Sequence, residues 1–400
     1  MNLTTGYPYW LINSGLPHRY PKLEETIKTD VVIIGGGISG ALSAYYLINA
    51  GIKCIVVDAR TIGLGSTCAS TSLLQYELDK PLSELTDLIG WKDAERSYRL
   101  CFDSIDALEN ICATMNFEHF HKQESLFFAA YKKDQILLQK EFSIRKKAGF
   151  DITLLDEKEI EKKFGFYAPS AILSAQGATT DAYLLTHALL QAGVKKGLEV
   201  YDRTEISKIN YNKKNVRLST SNGSTIYANK IVNASGYEIT EFIGKKIVKL
   251  NSTYAIASEH LPPSILPWKN KALLWNTADP YLYMRLTDDN RIILGGRDEA
   301  FYNPQKRDKL IKKKTALLKK DFQKLFPDIS FIPEFSWTGT FGSTKDALPY
   351  IGTYPKTPHT YYALGFGGNG ITFSVIAAEI ICDLIAGKKN NNHSLFSFTR

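Results

Sequence analysis

Four residues near the N-terminus have the types and spacing of a dinucleotide-binding site. Gly35, Gly37 and Gly40 form the pattern GxGxxG after the apolar run of residues 31–34, and Asp58 ends the next apolar run. Glycine at these positions permits a tight strand-to-helix turn, close approach of the backbone to a pyrophosphate, and close packing of helix on strand. We therefore predict a βαβ unit in which Asp58 accepts hydrogen bonds from ribose hydroxyls and disfavours a 2′-phosphate.

Three later segments also allow the chain to approach such a ligand closely. Residues 63–72 (GLGSTCASTS) carry small and hydroxyl side chains that can donate hydrogen bonds to phosphate, with a plain glycine–serine linker as the alternative. Residues 234–237 (ASGY) follow a predicted strand, and residues 365–372 (GFGGNGIT) open the C-terminal helix. The last segment offers a second helix N-terminus to an anionic group.

Hydrophobic periodicity predicts the elements that carry these loops. Apolar residues recur at helical spacing over residues 81–116, and alternation in a later hairpin puts Tyr281, Tyr283 and Arg285 on one face of a strand. An ordered extended arm is predicted for residues 1–29. Further helices are predicted over residues 134–147, 182–195 with Asp181 as N-cap, 305–326 and the C-terminal segment, and strands over 123–130, 151–155, 199–209, 216–219, 224–228, 230–233, 281–285, 291–295 and 361–364.

The composition is that of an ordinary globular protein. Of its 400 residues 44% are hydrophobic and 22% charged, and the formal net charge is +8. This length suggests two domains or one large two-part domain. The lysine-rich residues 306–320 indicate a solvated helix face, with an acidic or nucleic-acid partner as the minority alternative. Five scattered cysteines without a CxxC pair predict a reducing compartment, and we expect a cytoplasmic protein with no metal site and no membrane span.

The ordered set of motifs resembles one enzyme family over nearly the whole chain. GGGISG, Asp58, GLGSTCAS, NASGY, TKDALPYIG and GFGGNGITFS follow one another as in the D-amino-acid oxidase, glycine oxidase and sarcosine oxidase family of FAD-dependent enzymes. The segments YPYWL and RIILGG are most similar to its γ-glutamylputrescine oxidase-like members. The resemblance implies an α/β (α+β) fold with two parts: a Rossmann-like FAD-binding domain (1–80, 178–244 and 336–400) and a discontinuous β-rich substrate domain (81–177 and 245–335).

The resemblance also implies which residues hold FAD, without a covalent bond. Asp58 would hold the adenosine ribose, Ser66 and Thr67 would contact phosphate, and residues 367–372 would lie along the ribityl chain and the flavin. The full predicted set is Gly35, Gly37, Ile38, Ser39, Gly40, Asp58, Ala59, Arg60, Ser66, Thr67, Ser72, Leu73, Ile206, Ala234, Gly236, Gly367, Gly368, Asn369, Gly370, Ile371 and Thr372.

Two departures from the family pattern bear on the substrate and the electron acceptor. Phe341 stands where amino-acid oxidases of the family carry an arginine for the substrate carboxylate, which argues against a simple α-amino acid. Ile293 stands where sarcosine-oxidase-like members carry a lysine that assists oxygen, so the acceptor is either oxygen or another oxidant. Tyr281 and Tyr283 are predicted to line the substrate face as catalytic-site residues, with Phe341 as an apolar wall; a purely structural sheet face is the alternative for the two tyrosines. Cys68 is predicted to be inert.

The predicted reaction is hydride transfer from the carbon of a small primary or secondary amine, or a polyamine derivative, to flavin N5, giving an imine. Two alternatives stay open at this point. One is an FAD enzyme that acts on a nucleic-acid base, for which the net positive charge leaves room. The other is a flavin-binding subunit of a hetero-oligomeric amine dehydrogenase. The substrate partner is thus a small molecule, with nucleic acid disfavoured.

Overall fold

The fold was analysed in a computed structural model that describes residues 1–239, 247–268 and 270–400. Its helices are α1 (Tyr9–Ser14), α2 (Ile38–Asn49), α3 (Ser66–Ala69), α4 (Leu82–Ile89), α5 (Trp91–Thr114), α6 (Gln135–Lys147), α7 (Glu157–Phe164), α8 (Ala182–Val194), α9 (Pro304–Lys309), α10 (Ile311–Leu325) and α11 (Gly370–Ile385). Among the described residues, none of the helices has the length and apolarity that crossing a bilayer requires.

The strands form three sheets. They are β1 (Thr4–Gly6), β2 (Ile27–Ile34), β3 (Cys54–Val57), β4 (Leu73–Leu74), β5 (Phe120–Lys122), β6 (Ser125–Phe128), β7 (Ile152–Asp156), β8 (Ser170–Ser174), β9 (Ala178–Thr180), β10 (Glu199–Tyr201), β11 (Ile206–Tyr211), β12 (Val216–Thr220), β13 (Thr225–Asn233), β14 (Lys249–Ser258), β15 (Leu273–Asn276), β16 (Tyr283–Leu286), β17 (Ile292–Glu299), β18 (Pro333–Ser343), β19 (Tyr350–Thr353) and β20 (Thr360–Leu364). Together with the helices they give the mixed α/β architecture that the sequence predicts.

The first sheet is the predicted dinucleotide-binding sheet. Its order is β10-β3-β2-β13-β12-β11, and β20 pairs with the second half of β13. Strands β10, β3, β2, β13 and β20 run parallel. Both faces are buried, since Cys54 and Val56 of β3 pack into one hydrophobic cluster while Ile55 and Val57 pack into another. Such double burial explains why the strand is apolar throughout instead of alternating.

The βαβ unit forms as the glycine pattern predicts. Helix α2 buries Ala41, Leu42, Ala44 and Leu47; it packs on strands β2 and β3 of the sheet and also contacts α8 and α11. After its last residue the chain reaches Gly51, whose φ of +75° is the left-handed conformation that favours glycine at a helix end.

The second sheet has nine strands in the order β1-β18-β14-β17-β16-β15-β6-β8-β7. Its core includes Trp268, Phe164 and, from helix α10, Leu318 and Phe322. The predicted hairpin is present as β16 and β17, which pair antiparallel. A small third sheet, β4-β9-β5, completes the architecture. The division into two domains stays a prediction; β18 crosses its boundary at residue 336, and the boundary at 244 lies outside the described residues.

Two strand predictions are wrong in their bounds. The single strand predicted over residues 199–209 is two strands, because the chain turns at Arg203, whose φ is +47°. The Thr204 N–H there donates to the Asp58 carbonyl at 2.7 Å, which ties the turn to the end of β3. Conversely, the segments predicted over 224–228 and 230–233 are one continuous strand, β13. Its first half pairs with β12 and its second half with β20.

The N-terminal arm and the basic helix also differ from prediction. Residues 1–29 are ordered, as predicted, but they form strand β1 and helix α1 instead of an extended arm. Tyr9 and Trp10 of α1 are buried, and β1 pairs with β18. The helix predicted over 305–326 is broken into α9 and α10 around Leu310. Within it Lys314 is buried, so the lysine run is only partly a solvated face.

Candidate functional site

The predicted loops meet because the strands before them are parallel. Gly35 follows β2, Asp58 follows β3, Ala234 follows β13 and Gly365 follows β20. The carboxyl ends of these strands therefore lie at one edge of the sheet, which is where doubly wound folds bind ligands. A cavity of about 760 Å³ opens at this edge and continues to the nine-stranded sheet.

The glycine turn leaves room for a ligand at the start of α2. Gly35 has a φ of +107°, and a Cβ on Gly40 would lie 1.8 Å from the Gly35 carbonyl oxygen, so the helix rests directly on the turn. A Cβ on Gly37 would lie 2.8 Å from Thr67 Oγ1. Gly35, Gly37, Ile38 and Ser39 line the cavity, whereas Gly40 lies behind the turn. Each glycine thus has a different steric reason to lack a side chain.

Asp58 is held rigidly at one end of the cavity. Its carboxylate accepts hydrogen bonds from the N–H groups of Gly36 and Arg60, both at 2.7 Å. Burial raises the pKa of this carboxyl. The Arg60 guanidinium forms a bidentate pair with Glu238, with both nitrogen–oxygen distances at 2.9 Å, and the N-terminal ammonium of Met1 also binds Glu238. The predicted residues Ala59 and Ile206 line the same region.

The hydroxyl-rich loop crosses the middle of the cavity. Thr67 Oγ1 accepts a hydrogen bond from the Ile38 N–H at 3.1 Å, while the buried Ser66 hydroxyl has no hydrogen-bond partner among the described residues. Ser72 has a φ of +56°, and its carbonyl accepts from Arg285 Nη1 at 2.9 Å. With Leu73, these residues line the cavity. The buried arginine therefore holds the loop in its strained conformation.

The C-terminal glycine segment lines the cavity only in part. Gly367, Gly368, Gly370 and Ile371 face it, as do Ala234 and Gly236 from the end of β13. Asn369 and Thr372 do not line it. The Asn369 amide donates to the carbonyls of Gln75 and Glu77 at 3.1 and 2.8 Å, and the Thr372 hydroxyl donates to the Asn369 carbonyl. Both side chains are thus engaged in holding the turn before α11.

The far end of the cavity is a chamber against the nine-stranded sheet. We call it the tyrosine chamber and define it by Thr253, Tyr281, Tyr283, Asp298, Thr340 and Phe341, all of which line the cavity. The rings of Tyr281 and Tyr283 lie 5.6 Å apart. Burial, reinforced by Asp79, raises the pKa of Tyr281 well above its ordinary value, so this phenol is neutral at physiological pH. The three residues predicted for the substrate face are therefore gathered in one place.

Sequence reasoning missed two carboxylates at this chamber. Asp79 accepts hydrogen bonds from the Tyr281 hydroxyl at 3.2 Å and from the Gly368 N–H at 2.9 Å, so it joins the chamber to the C-terminal glycine loop. Asp298 lies just after Gly295-Gly296 in β17. Burial raises its pKa from 3.8 to about 6, and the Asp79 charge acts in the same direction. A carboxyl two residues after a glycine pair is the only sequence signal for Asp298, and it is a weak one.

Two residues discussed from the sequence lie outside the cavity lining. Ile293 is buried against Tyr9, Trp10 and Trp337 in a separate hydrophobic cluster. Cys68 belongs to the same cluster, and burial raises the pKa of its thiol to about 11, a value at which it is protonated and unreactive at neutral pH. All five cysteines are unpaired.

A parallel sheet with this glycine cradle defines a dinucleotide-binding protein. The family model for DAO, described as FAD dependent oxidoreductase, matches residues 30–384, so the chain belongs to that family. It is similar to the probable oxidoreductase OrdL of Haemophilus influenzae, at 22% identity over 95% of this chain and 88% of that protein. It is also similar to the γ-glutamylputrescine oxidoreductase of Escherichia coli, at 24% identity over 92% of this chain and 86% of that protein. In fold, this chain resembles the glycine oxidase of Geobacillus kaustophilus, with a TM-score of 0.78 and 20% identity over 94% of this chain and 99% of that one.

The residues present fit FAD. The cradle at Gly37 would be filled by a Cβ, and the buried Ser66 hydroxyl is an unused hydrogen-bonding group at the same place. The cavity continues past this point to both Asp58 and the tyrosine chamber. The family's cofactor supplies a two-electron acceptor, and the protein supplies the surface that positions a substrate against it.

Proposed function

We propose that this flavoenzyme oxidises the carbon–nitrogen bond of a small amine that bears no carboxylate near the reacting carbon, giving an imine. The tyrosine chamber would hold the substrate, and FAD, bound without a covalent link, would accept the hydride. The proposal adds a substrate class to the family assignment. It agrees with the presence of a γ-glutamylputrescine oxidoreductase among the relatives.

One observation carries the proposal: the distribution of charge along the cavity. Among the described residues, the cationic groups that line it are Arg60, Lys208 and the N-terminal ammonium of Met1. Arg60 and the ammonium are paired with Glu238, beside Asp58 at the end away from the tyrosine chamber. The chamber itself contains phenols, threonines, Phe341 and a carboxylate. A substrate carboxylate would find no guanidinium fork there, whereas a cationic amine would be favoured.

The FAD contacts proposed from the family resemblance follow the cavity. Gly35, Gly37, Ile38 and Ser39 would cradle the pyrophosphate, and Asp58 would accept the ribose hydroxyls through its remaining lone pairs. Asn369 and Thr372 would act indirectly, by holding the turn from which Gly368 and Gly370 reach the cavity. The burial of Cys68 in a neighbouring cluster supports a non-covalent cofactor.

The substrate class is tested by anaerobic reduction of the purified flavoprotein. We expect primary and secondary amines without a carboxylate to bleach the flavin band faster than N-methyl amino acids or α-amino acids do. Exclusive reduction by α-amino acids would contradict the proposal. Readmitting air then separates oxygen from another oxidant as the acceptor.

The role of the tyrosine pair is tested with Tyr281→Phe. The change removes the hydroxyl that donates to Asp79, and we expect KM for the amine to rise about tenfold because one ordering contact of the chamber is lost. Tyr167→Phe, at an exposed tyrosine outside the cavity, is the matched control. Unchanged kinetics in Tyr281→Phe would remove this residue from the substrate face.

The two alternatives are less well supported. A nucleic-acid base would bring phosphates toward the tyrosine chamber, whose charged group is Asp298. A non-catalytic flavin-binding subunit would not require a chamber continuous with the cofactor cradle. A cytoplasmic location is proposed on the five unpaired cysteines.

A further inference from the structure

Asp298 lies in a break of the strand pairing. Ser252 of β14 pairs with Glu299 of β17, and Tyr254 pairs with Gly296, so the single residue Thr253 faces both Arg297 and Asp298. Arg297 has a φ of +57°, the left-handed conformation. This is a β-bulge, a feature that redirects side chains and is frequent beside active sites. Here it brings Asp298 to the lining of the cavity.

The carboxylate of Asp298 has no counter-ion of its own. Its Oδ1 atom is buried and accepts no well-formed hydrogen bond from the described residues. The Thr253 hydroxyl opposite and the charge of Lys314 lower the pKa of Asp298, but burial outweighs both. Lys314 makes its own hydrogen bonds to other groups: its Nζ donates to the Arg297 carbonyl at 2.7 Å and to Glu299 at 2.6 Å. A buried carboxylate without a partner is costly unless a ligand supplies one.

The other ionisable groups around Asp298 do not neutralise it. Arg297 points away and forms an ion pair with Asp321. The remaining ones are carboxylates and phenols, namely Asp79, Asp279, Tyr281 and Tyr283. The charged groups around the chamber are therefore mainly carboxylates, and they lie beside an aromatic pair, an environment that attracts an organic cation.

We propose that Asp298 binds the ammonium group of the substrate and removes one of its protons before the carbon–nitrogen bond is oxidised. This inference rests on the proposed function and deepens it. The proton passes from the substrate nitrogen to the Asp298 carboxylate, which leaves a neutral amine with a free electron pair. That pair would then form the new carbon–nitrogen double bond as a hydrogen leaves the adjacent carbon as hydride, giving an iminium ion; the family's FAD would supply the two-electron acceptor for this hydride.

The charges around the chamber also narrow the class of amine that we expect as substrate. A second carboxylate, Asp79, lies behind the Tyr281 hydroxyl, so its charge adds to that of Asp298 and favours a substrate with two positive charges. We therefore expect short aliphatic diamines and polyamines to be favoured over monoamines of equal length, and substrates with a carboxylate next to the reacting carbon to be rejected by like charge.

The first test measures binding without turnover. tert-Butylamine carries no hydrogen on the carbon bonded to nitrogen and so is not oxidised, and tert-butanol is its neutral counterpart. We expect the amine, and not the alcohol, to raise the melting temperature of the FAD-loaded protein. Asp298→Asn should weaken the apparent amine affinity at least tenfold, and Asp298→Glu should restore part of it. Equal affinities in wild type and Asp298→Asn would overturn the inference.

The second test measures flavin reduction by a diamine as a function of pH. In wild type the rate of flavin reduction should rise with pH through an apparent pKa near 6. In Asp298→Asn the rate at pH 7.5 should be about 100-fold lower than in wild type, and this rise with pH should be absent. Asp87→Asn, at an exposed aspartate paired with Lys140, is the matched control. If no amine reduces the flavin of the wild-type protein, the proposed function fails, but the binding test still shows whether Asp298 binds the ammonium group. If amines reduce both proteins equally, only the role of Asp298 fails.

Discussion

Replacing Asp298 by asparagine should stabilise the folded protein while it impairs the reaction. Burial raises the pKa of this carboxyl from 3.8 to about 6. The folded state therefore binds the proton more tightly than the unfolded state, and ionisation of Asp298 opposes folding. The penalty is absent below the unfolded pKa, grows as pH rises between the two values, and is complete above the folded one.

The size of the effect follows from the shift. One pKa unit corresponds to about 1.4 kcal/mol, so a shift of about two units gives an upper value of about 3 kcal/mol. The Asp298 side chain borders the cavity, although its Oδ1 atom is buried, and an asparagine amide also loses hydration, so we expect a net gain of about 1 to 2 kcal/mol at pH 8. Near pH 4 the gain should vanish, because the wild-type carboxyl is then protonated.

The assay is urea unfolding of wild type and Asp298→Asn at both pH values, with the free energy of unfolding extrapolated to water. Asp87→Asn, at the surface, should change this energy by less than about 0.5 kcal/mol. A gain in Asp298→Asn that is equal at both pH values would refute the linkage argument. A loss of stability at pH 8 would show that the carboxylate has a partner in the folded state.

Two further predictions concern the cofactor cradle and the core. Gly37→Val should lower FAD affinity at least about tenfold with the fold retained, because its Cβ would lie 2.8 Å from Thr67 Oγ1 and its methyl groups would enter the cavity; the ratio of flavin to protein absorbance measures this, and full flavin content would contradict it. Arg145→Met should cost about 3 to 5 kcal/mol of unfolding free energy, since Arg145 is buried in ion pairs with Glu141 at 2.6 Å and Glu77 at 3.3 Å. A loss below about 1 kcal/mol in urea unfolding would refute it.

The bulge at Arg297 and Asp298 is a feature of the site that the sequence pattern could not predict. Alternation predicts the hairpin of β16 and β17, but β16 begins at Tyr283, so Tyr281 lies before the strand and strand alternation does not place it beside Tyr283. Alternation cannot place Asp298 either, because an inserted residue exchanges the two faces of a strand and only the partner strand β14 reveals the insertion. The two strands predicted wrongly have the same cause: the breaks and joins in residues 199–233 depend on which neighbours pair, not on local composition.

The features that could be predicted from the amino-acid sequence are local and periodic. The spacing of Gly35, Gly37 and Gly40, the acid at Asp58 and the apolar runs were enough to predict the βαβ unit and its glycine turn. The family needed the whole ordered set of motifs, from GGGISG to GFGGNGITFS. These features are visible because each arises from the backbone conformation or side-chain period of one short segment.

The charge of the tyrosine chamber, by contrast, depends on contacts between distant segments of the chain. Asp79, Tyr281 and Gly368 are far apart in the chain and meet through two hydrogen bonds. Whether a carboxylate such as Asp298 is neutralised depends on where Lys314 and the other distant charges lie. Charge in a cavity is the sum of contributions from several elements packed around it, so a linear pattern cannot specify it.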